Sequence, residues 1–141
     1  MFKDRVAIVT GASRGIGKGV AQSLAERGAA IVAVSRKAED TAAMVEQINA
    51  SGGRAISVAA DVSDPADVEA MVAAATETFA RIDILVNNAG GTRRGPADTI
   101  TAEDWNYVIN LNMTATFKLC QTLYVDGGLL CTFGPSSWYT D

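Results

Sequence analysis

Short apolar runs alternate with segments of helical period along most of this chain. Arg5 to Thr10 is a continuous apolar run closed by glycine, the pattern of a strand buried on both faces of a parallel sheet. From Ile16 to Arg27, the apolar residues Val20, Ala21, Leu24 and Ala25 recur at helical spacing, and Gly28 follows as a helix stop. Ala29 to Ser35 is a second buried run. It leads to a helix through Met44, Val45 and Ile48 that ends before Ser51-Gly52-Gly53. Ala55 to Ala60 predicts a third strand. Asp64 as cap and Pro65 at the first helical position then open a helix with Val68, Met71, Val72, Ala75 and Phe79 on one face. Ile82 to Val86 predicts a fourth strand. A polar loop from Asn87 to Asp98 leads to Thr101 and Asp104, spaced as a capping box, and to a helix carrying Trp105, Val108, Ile109 and Asn112 as far as Phe117. Strict alternation with short connections predicts a parallel sheet covered by helices on both faces. After Cys120 the pattern changes: Thr122 to Val125 is strand-like, Asp126-Gly127-Gly128 is a turn, and Phe133 to Asp141 lacks periodicity.

Composition narrows the functions. The 141 residues, 48% of them apolar, suffice for one domain with one core. Twelve basic against sixteen acidic residues leave no basic stripe for a nucleic-acid backbone. No signal-like segment or membrane-length apolar run is present, so a cytoplasmic protein without membrane contact is expected. Two cysteines, Cys120 and Cys131, and no histidine exclude a zinc site, a disulfide framework and any histidine-based nucleophilic triad.

The candidate chemistry lies in Thr10-Gly11-Ala12-Ser13-Arg14-Gly15-Ile16-Gly17, between the first strand and its helix. Glycines there allow a tight turn and close approach of backbone to a pyrophosphate. The amides and dipole of the helix start attract its charge. The spacing is Gly-x-x-x-Gly-x-Gly, unlike the common dinucleotide fingerprint, and alone it also fits a plain strand-helix turn. Asp61-Val62 follows the third strand, and Asn87-Asn88-Ala89-Gly90 the fourth. Asp61 also fits a helix cap, and the asparagines a loop that bonds its own backbone.

Taken in order, these three motifs resemble the short-chain dehydrogenase/reductase family over residues 1 to about 120. The resemblance implies an α/β, Rossmann-like parallel sheet with helices on both faces, truncated, with strands five and six of the family fold absent. It also implies that Gly11, Gly15 and Gly17, with Ser13, Arg14 and Ile16, line a nicotinamide dinucleotide's diphosphate. Asp61 and Val62 would touch the adenine, and Asn88, Ala89 and Gly90 would floor the cleft. At the end of the second strand, where an acid would hold the ribose of NAD, stands Ser35-Arg36-Lys37. Arg36, helped by Arg14, suits a 2'-phosphate, so NADP(H) is expected over NAD(H). Arg36 and Lys37 also fit a solvated charge pair, while Glu39 and Asp40 lie too far along the chain to replace the acid.

The family's catalytic asparagine matches Asn112; its serine and its Tyr-x-x-x-Lys pair have no counterpart. Leu111 and Gly128 stand four residues beyond Tyr107 and Tyr124, and Tyr139 is followed only by Thr140 and Asp141. Leu123 to Gly128 resembles the family's last strand and turn, which implies an internal deletion with its seam near Cys120 to Thr122. Residues 1–121 would then form a dinucleotide-binding half, and 122–141 a remnant whose segment Thr122 to Asp126 fills the edge beside the fourth strand. Three readings follow. The chain is an NADP(H)-dependent carbonyl-reducing or alcohol-oxidising enzyme by family, inactive alone, with a small carbonyl or alcohol substrate only in a longer form. It is a non-catalytic dinucleotide-binding or subunit-pairing module, with homo-oligomers through Val108 to Leu119. Or it lacks a stable native state.

Overall fold

The computed structural model describes residues 1–93, 95 and 98–124. Strand β1 (Val6–Thr10) leads to helix α1 (Gly15–Glu26), β2 (Ala30–Ser35) to α2 (Glu39–Ala50), and β3 (Arg54–Ala59) to α3 (Pro65–Phe79). Strand β4 (Ile84–Val86) is followed by α4 (Ala102–Ile109), a π-helical turn (Asn110–Thr114) and α5 (Ala115–Tyr124). The four strands are parallel in the order β3-β2-β1-β4, with Val6 opposite Ala30, Ala30 opposite Arg54 and Ala7 opposite Ile84. The order reverses between β1 and β4, so a crevice opens at the carboxyl ends of these strands.

Every residue of β1 and β2 is buried, because side chains of alternate positions enter opposite layers. Val6, Ile8, Val32 and Val34 pack with Val68, Met71 and Ala75 of α3 and with Ala115 and Leu119 of α5. Ala7, Val9, Ile31 and Ala33 pack on the other face with Ala21 of α1 and Met44 and Ile48 of α2. The expected sheet with helices on both faces is therefore present.

Local signals account for the helix starts. The Asp64 carboxylate accepts from the Ala66 N–H at 2.9 Å with Pro65 next in line, and the Thr101 hydroxyl accepts from the Asp104 N–H at 3.1 Å. Helix α3 ends on Ala80, which stands at φ 62° and donates to the Thr76 carbonyl at 2.8 Å. The left-handed region strains an L-residue with a Cβ. Ala80→Gly should therefore raise stability by about 0.5 kcal/mol, read as a higher urea midpoint at unchanged slope.

Three sequence expectations are corrected here. Strand four starts at Ile84, not Ile82, because Asp83 turns its carboxylate under the sheet: Asp83 N–H donates to the Val6 carbonyl and Val6 N–H to the Asp83 carboxylate, both at 2.9 Å. The helix after β4 is not uninterrupted. Asn112 Nδ2 donates to the Val108 carbonyl at 2.8 Å, and the backbone widens into a π-helical turn around it. Finally, Thr122 to Tyr124 belong to α5 rather than to a strand beside β4. Extending a formed helix gains one hydrogen bond per residue, and Ala115 and Leu119 anchor the preceding turns of that helix by burial. Among the described residues β4 pairs with β1 alone. Val125 and Asp126 of that expected strand, with the turn and tail beyond, lie outside the described residues.

Candidate functional site

Thr10 builds the floor of the crevice. It is fully buried at the end of β1; its hydroxyl donates to the Val86 carbonyl at 3.1 Å and accepts from the N–H groups of Asn88 and Ala89, both at 3.0 Å. Asn88 Nδ2 in turn donates to the carbonyls of Thr10 (3.0 Å) and Gly11 (3.1 Å). The glycine turn and the Asn87–Gly90 loop are thus tied into one unit. Ala12 N–H adds a bond to the Val34 carbonyl at 3.0 Å, which fixes the turn to β2 as well.

Above this floor lies a cleft of about 490 Å³. Gly11, Ser13, Arg14, Gly15 and Ile16 line one wall, and Ser35, Arg36 and Asp40 another. Asp61, Val62 and Ser63 continue it to Asn88, Ala89 and Gly90, with Tyr107 and Leu111 closing the side. Eleven expected cofactor-binding residues therefore meet in one cleft, and the twelfth, Gly17, does not line it. Gly17 is buried beneath the turn, and a Cβ there would overlap Gly11 O and Asn88 Nδ2. Gly11 and Gly15 stand at φ 65° and 56°, and a Cβ at Gly15 would meet open space. Helix α1 begins without a side-chain cap and without an acidic residue in its first turn, so its leading N–H groups remain available to an anion. These features fit a diphosphate.

Charged groups of both signs line the cleft: Arg14, Arg36, Asp40 and Asp61. Arg14 and Arg36 are exposed, and the Ser35 hydroxyl donates to the Lys37 carbonyl at 2.5 Å, holding the turn that carries Arg36. Asp40, placed too far along by its sequence spacing, also lines the cleft from the first turn of α2. Asp61 accepts from the Ser63 hydroxyl at 2.6 Å and from the Ser63 N–H at 2.9 Å. These two bonds hold its carboxyl below the usual carboxylate range against the opposing effect of burial, with Arg36 adding its charge. Asp67, unremarked in the sequence, fixes this corner by accepting from the Asp61 N–H at 2.8 Å.

Asn112 lies outside the cleft lining. Its Oδ1 accepts from the Gly91 N–H at 3.2 Å and its Nδ2 donates to the Gly91 carbonyl at 2.7 Å, so it clamps the loop after β4 onto the π-helical turn. Sequence reasoning gave no role in the cleft to Thr10, Ser35, Ser63, Tyr107 or Leu111. Thr10 and Ser35 carried local signals, as the last residue before the glycine turn and as the residue before Arg36 at the end of the second strand. Among the described residues no group of three metal-ligating side chains stands close enough to hold an ion, and no helix is long and apolar enough to cross a membrane.

Comparison with known proteins agrees with this geometry. A family model for short chain dehydrogenases matches residues 5–126. D-threitol dehydrogenase of Mycolicibacterium smegmatis is 41% identical over 119 residues, which are 84% of this chain and 46% of the relative. The hydroxynaphthalene reductase-like protein Arp2 of Metarhizium brunneum is 41% identical over 128 residues, covering 88% of this chain and 48% of the relative. A crystal structure of a short chain dehydrogenase from Burkholderia cenocepacia in complex with NADP superposes with a TM-score of 0.83 at 40% identity, over 88% of this chain and 51% of that one. The chain thus spans about half the length of the relatives it matches. With the parallel sheet, the glycine turn and the family match in agreement, this chain belongs to the short-chain dehydrogenase family.

Proposed function

We propose that the cleft binds a nicotinamide dinucleotide, NADP(H) in preference to NAD(H), and that residues 1–121 are the nucleotide-binding half of a carbonyl-reducing or alcohol-oxidising enzyme. The observation that carries this reading is the uncapped start of α1 beneath an open Gly15, in the same cleft as Arg14 and Arg36. Gly11 and Gly15 let the backbone approach the diphosphate, and the first N–H groups of α1 bond its oxygens. Arg14 and Arg36 attract a 2'-phosphate, while Asp40 opposes it and moderates the preference. Asp61 and Val62 bound the adenine end, and Asn88 holds the floor rigid. When bound, the nicotinamide supplies a hydride to a carbonyl or takes one from an alcohol.

Proton transfer is the step this sequence does not provide for. A lysine ammonium near a tyrosine lowers the phenol's pKa so that it can exchange a proton with the substrate oxygen, but no tyrosine here has a lysine four residues on. We therefore expect binding without turnover. Calorimetry at low salt should give about tenfold tighter binding of NADPH than of NADH, and Arg36→Asp should abolish the difference. A panel of small carbonyls should show no oxidation of NADPH. Folded protein without affinity for either nucleotide refutes the binding reading, and measurable turnover refutes the expectation of inactivity. The exposure of Trp105 on α4, Met113 in the π-helical turn and Phe117 on α5 supports a second reading, that this surface pairs with another subunit, which sedimentation would detect as self-association.

A further inference from the structure

The cleft divides by chemistry. Glycine backbone, Ser13, Arg14 and Arg36 are among its polar lining, and Val62, Ala89, Leu111 and Tyr107 among its apolar lining. Tyr107 is the aromatic member of that apolar lining, and it is held from outside. The Arg93 guanidinium lies 4.2 Å from its ring centroid, and Arg93 Nε stands 3.7 Å from Asp104 Oδ1. Asp104 is fixed in turn by the Thr101 hydroxyl, which donates to its carboxylate at 2.9 Å. The loop passes close to this lining at Gly91, where a Cβ would stand tightly at 3.2 Å from Leu111 Cδ2 and in ordinary contact at 3.7 Å from the Tyr107 hydroxyl.

We propose that Tyr107, backed by Arg93, is the wall on which the purine base of the bound nucleotide stacks, and so a specificity-determining residue for adenine nucleotides. This rests on the nucleotide reading above. A cation over one face of an aromatic ring draws electron density toward itself, which makes the ring a better stacking partner for an electron-rich purine. The flat base needs an apolar surface of this kind, whereas phosphates and ribose need the donors of the polar lining. The role is one of binding: Leu111, not lysine, stands four residues beyond Tyr107.

The test uses the full chain, with calorimetry of NADP⁺, 2',5'-ADP and nicotinamide mononucleotide, and the fluorescence of etheno-ADP, which stacking on an aromatic ring quenches. Base stacking on an aromatic side chain corresponds to a loss of about tenfold on its removal. Tyr107→Ala and Tyr107→Leu should each weaken NADP⁺ and 2',5'-ADP by about tenfold and relieve the quenching; leucine preserves apolar bulk should alanine unfold the helix. Tyr107→Phe should stay within about twofold of the original, and Arg93→Gln should lose about threefold. Nucleotide binding by the original chain that survives Tyr107→Leu within twofold, with quenching intact, overturns the stacking proposal and leaves the nucleotide reading standing. Weakened NADP⁺ with unchanged 2',5'-ADP overturns it too, by moving Tyr107 to the nicotinamide. An original chain that binds none of the adenine nucleotides removes the nucleotide reading, and this proposal with it.

Discussion

Asp83→Ala should cost the fold about 3 kcal/mol, the largest loss expected from any single charged side chain described here. Asp83 sits where β4 enters the sheet, with its side chain only 10% exposed. Its carboxylate accepts from Arg5 at 2.7 Å, from Arg81 at 2.5 and 2.8 Å and from the Val6 N–H at 2.9 Å. Alanine would leave the Val6 amide and two arginines without that partner at the start of the β1–β4 pairing. Burial pushes the Asp83 carboxyl up, but the hydrogen bonds from Arg81, Arg5 and Val6 and the charge of Arg81 outweigh it and hold the pKa at about 2 against an ordinary 3.8. A carboxyl with a depressed folded-state pKa adds stability that is fully present above its unfolded value and disappears as pH falls through the folded one. Between about pH 4 and pH 2 the original chain should therefore lose about 2 kcal/mol that Asp83→Asn, already lower at neutral pH, does not lose again. Urea unfolding across that range checks both statements, and an equally steep acid loss in Asp83→Asn would refute the assignment to this residue.

That clamp also marks how much of the molecule was legible in the sequence. Strands β1 and β2 were, because residues buried on both faces leave a continuous apolar run with no polar alternation to misread. The starts of α3 and α4 were legible because Asp64 and Thr101 act on amides two or three residues away. Asp83 acts on residues 77 and 78 positions distant, and no local pattern encodes such a pairing. The glycine turn was legible as a candidate anion site, and so were its neighbours Asp61 and Asn88. Asp40 and Tyr107 were not, since they reach the cleft through the directions in which α2 and α4 leave their loops. Thr122 to Tyr124 misled for a different reason. Threonine and tyrosine suit strands, but a helix already under way outweighs that weak preference.

The second large effect is expected at Gly17, where one methyl group should separate a structural glycine from the other glycines around it. Gly17→Ala places a Cβ against Gly11 O and Asn88 Nδ2, the atoms that join the phosphate turn to the loop after β4. Helix α1 must shift away from the turn or Asn88 must leave its bonds to the Thr10 and Gly11 carbonyls. Overpacking and the loss of those bonds together should cost about 3 kcal/mol. Because the same atoms position the start of α1 and the cleft floor, affinity for NADP⁺ should fall by about 100-fold, beyond what partial unfolding explains. Two neighbouring substitutions separate this contact from a general intolerance of alanine. At Gly19 an added Cβ meets open space within a helix, so Gly19→Ala should stabilise by about 0.5 to 1 kcal/mol and leave binding unchanged. At Gly15 the space is open too, but φ is 56°, so Gly15→Ala should cost about 1 kcal/mol through backbone strain. Calorimetric titration and urea unfolding of the three variants measure this ranking. If Gly17→Ala matched Gly19→Ala in both, the packing of α1 against Asn88 would have no part in shaping the cleft.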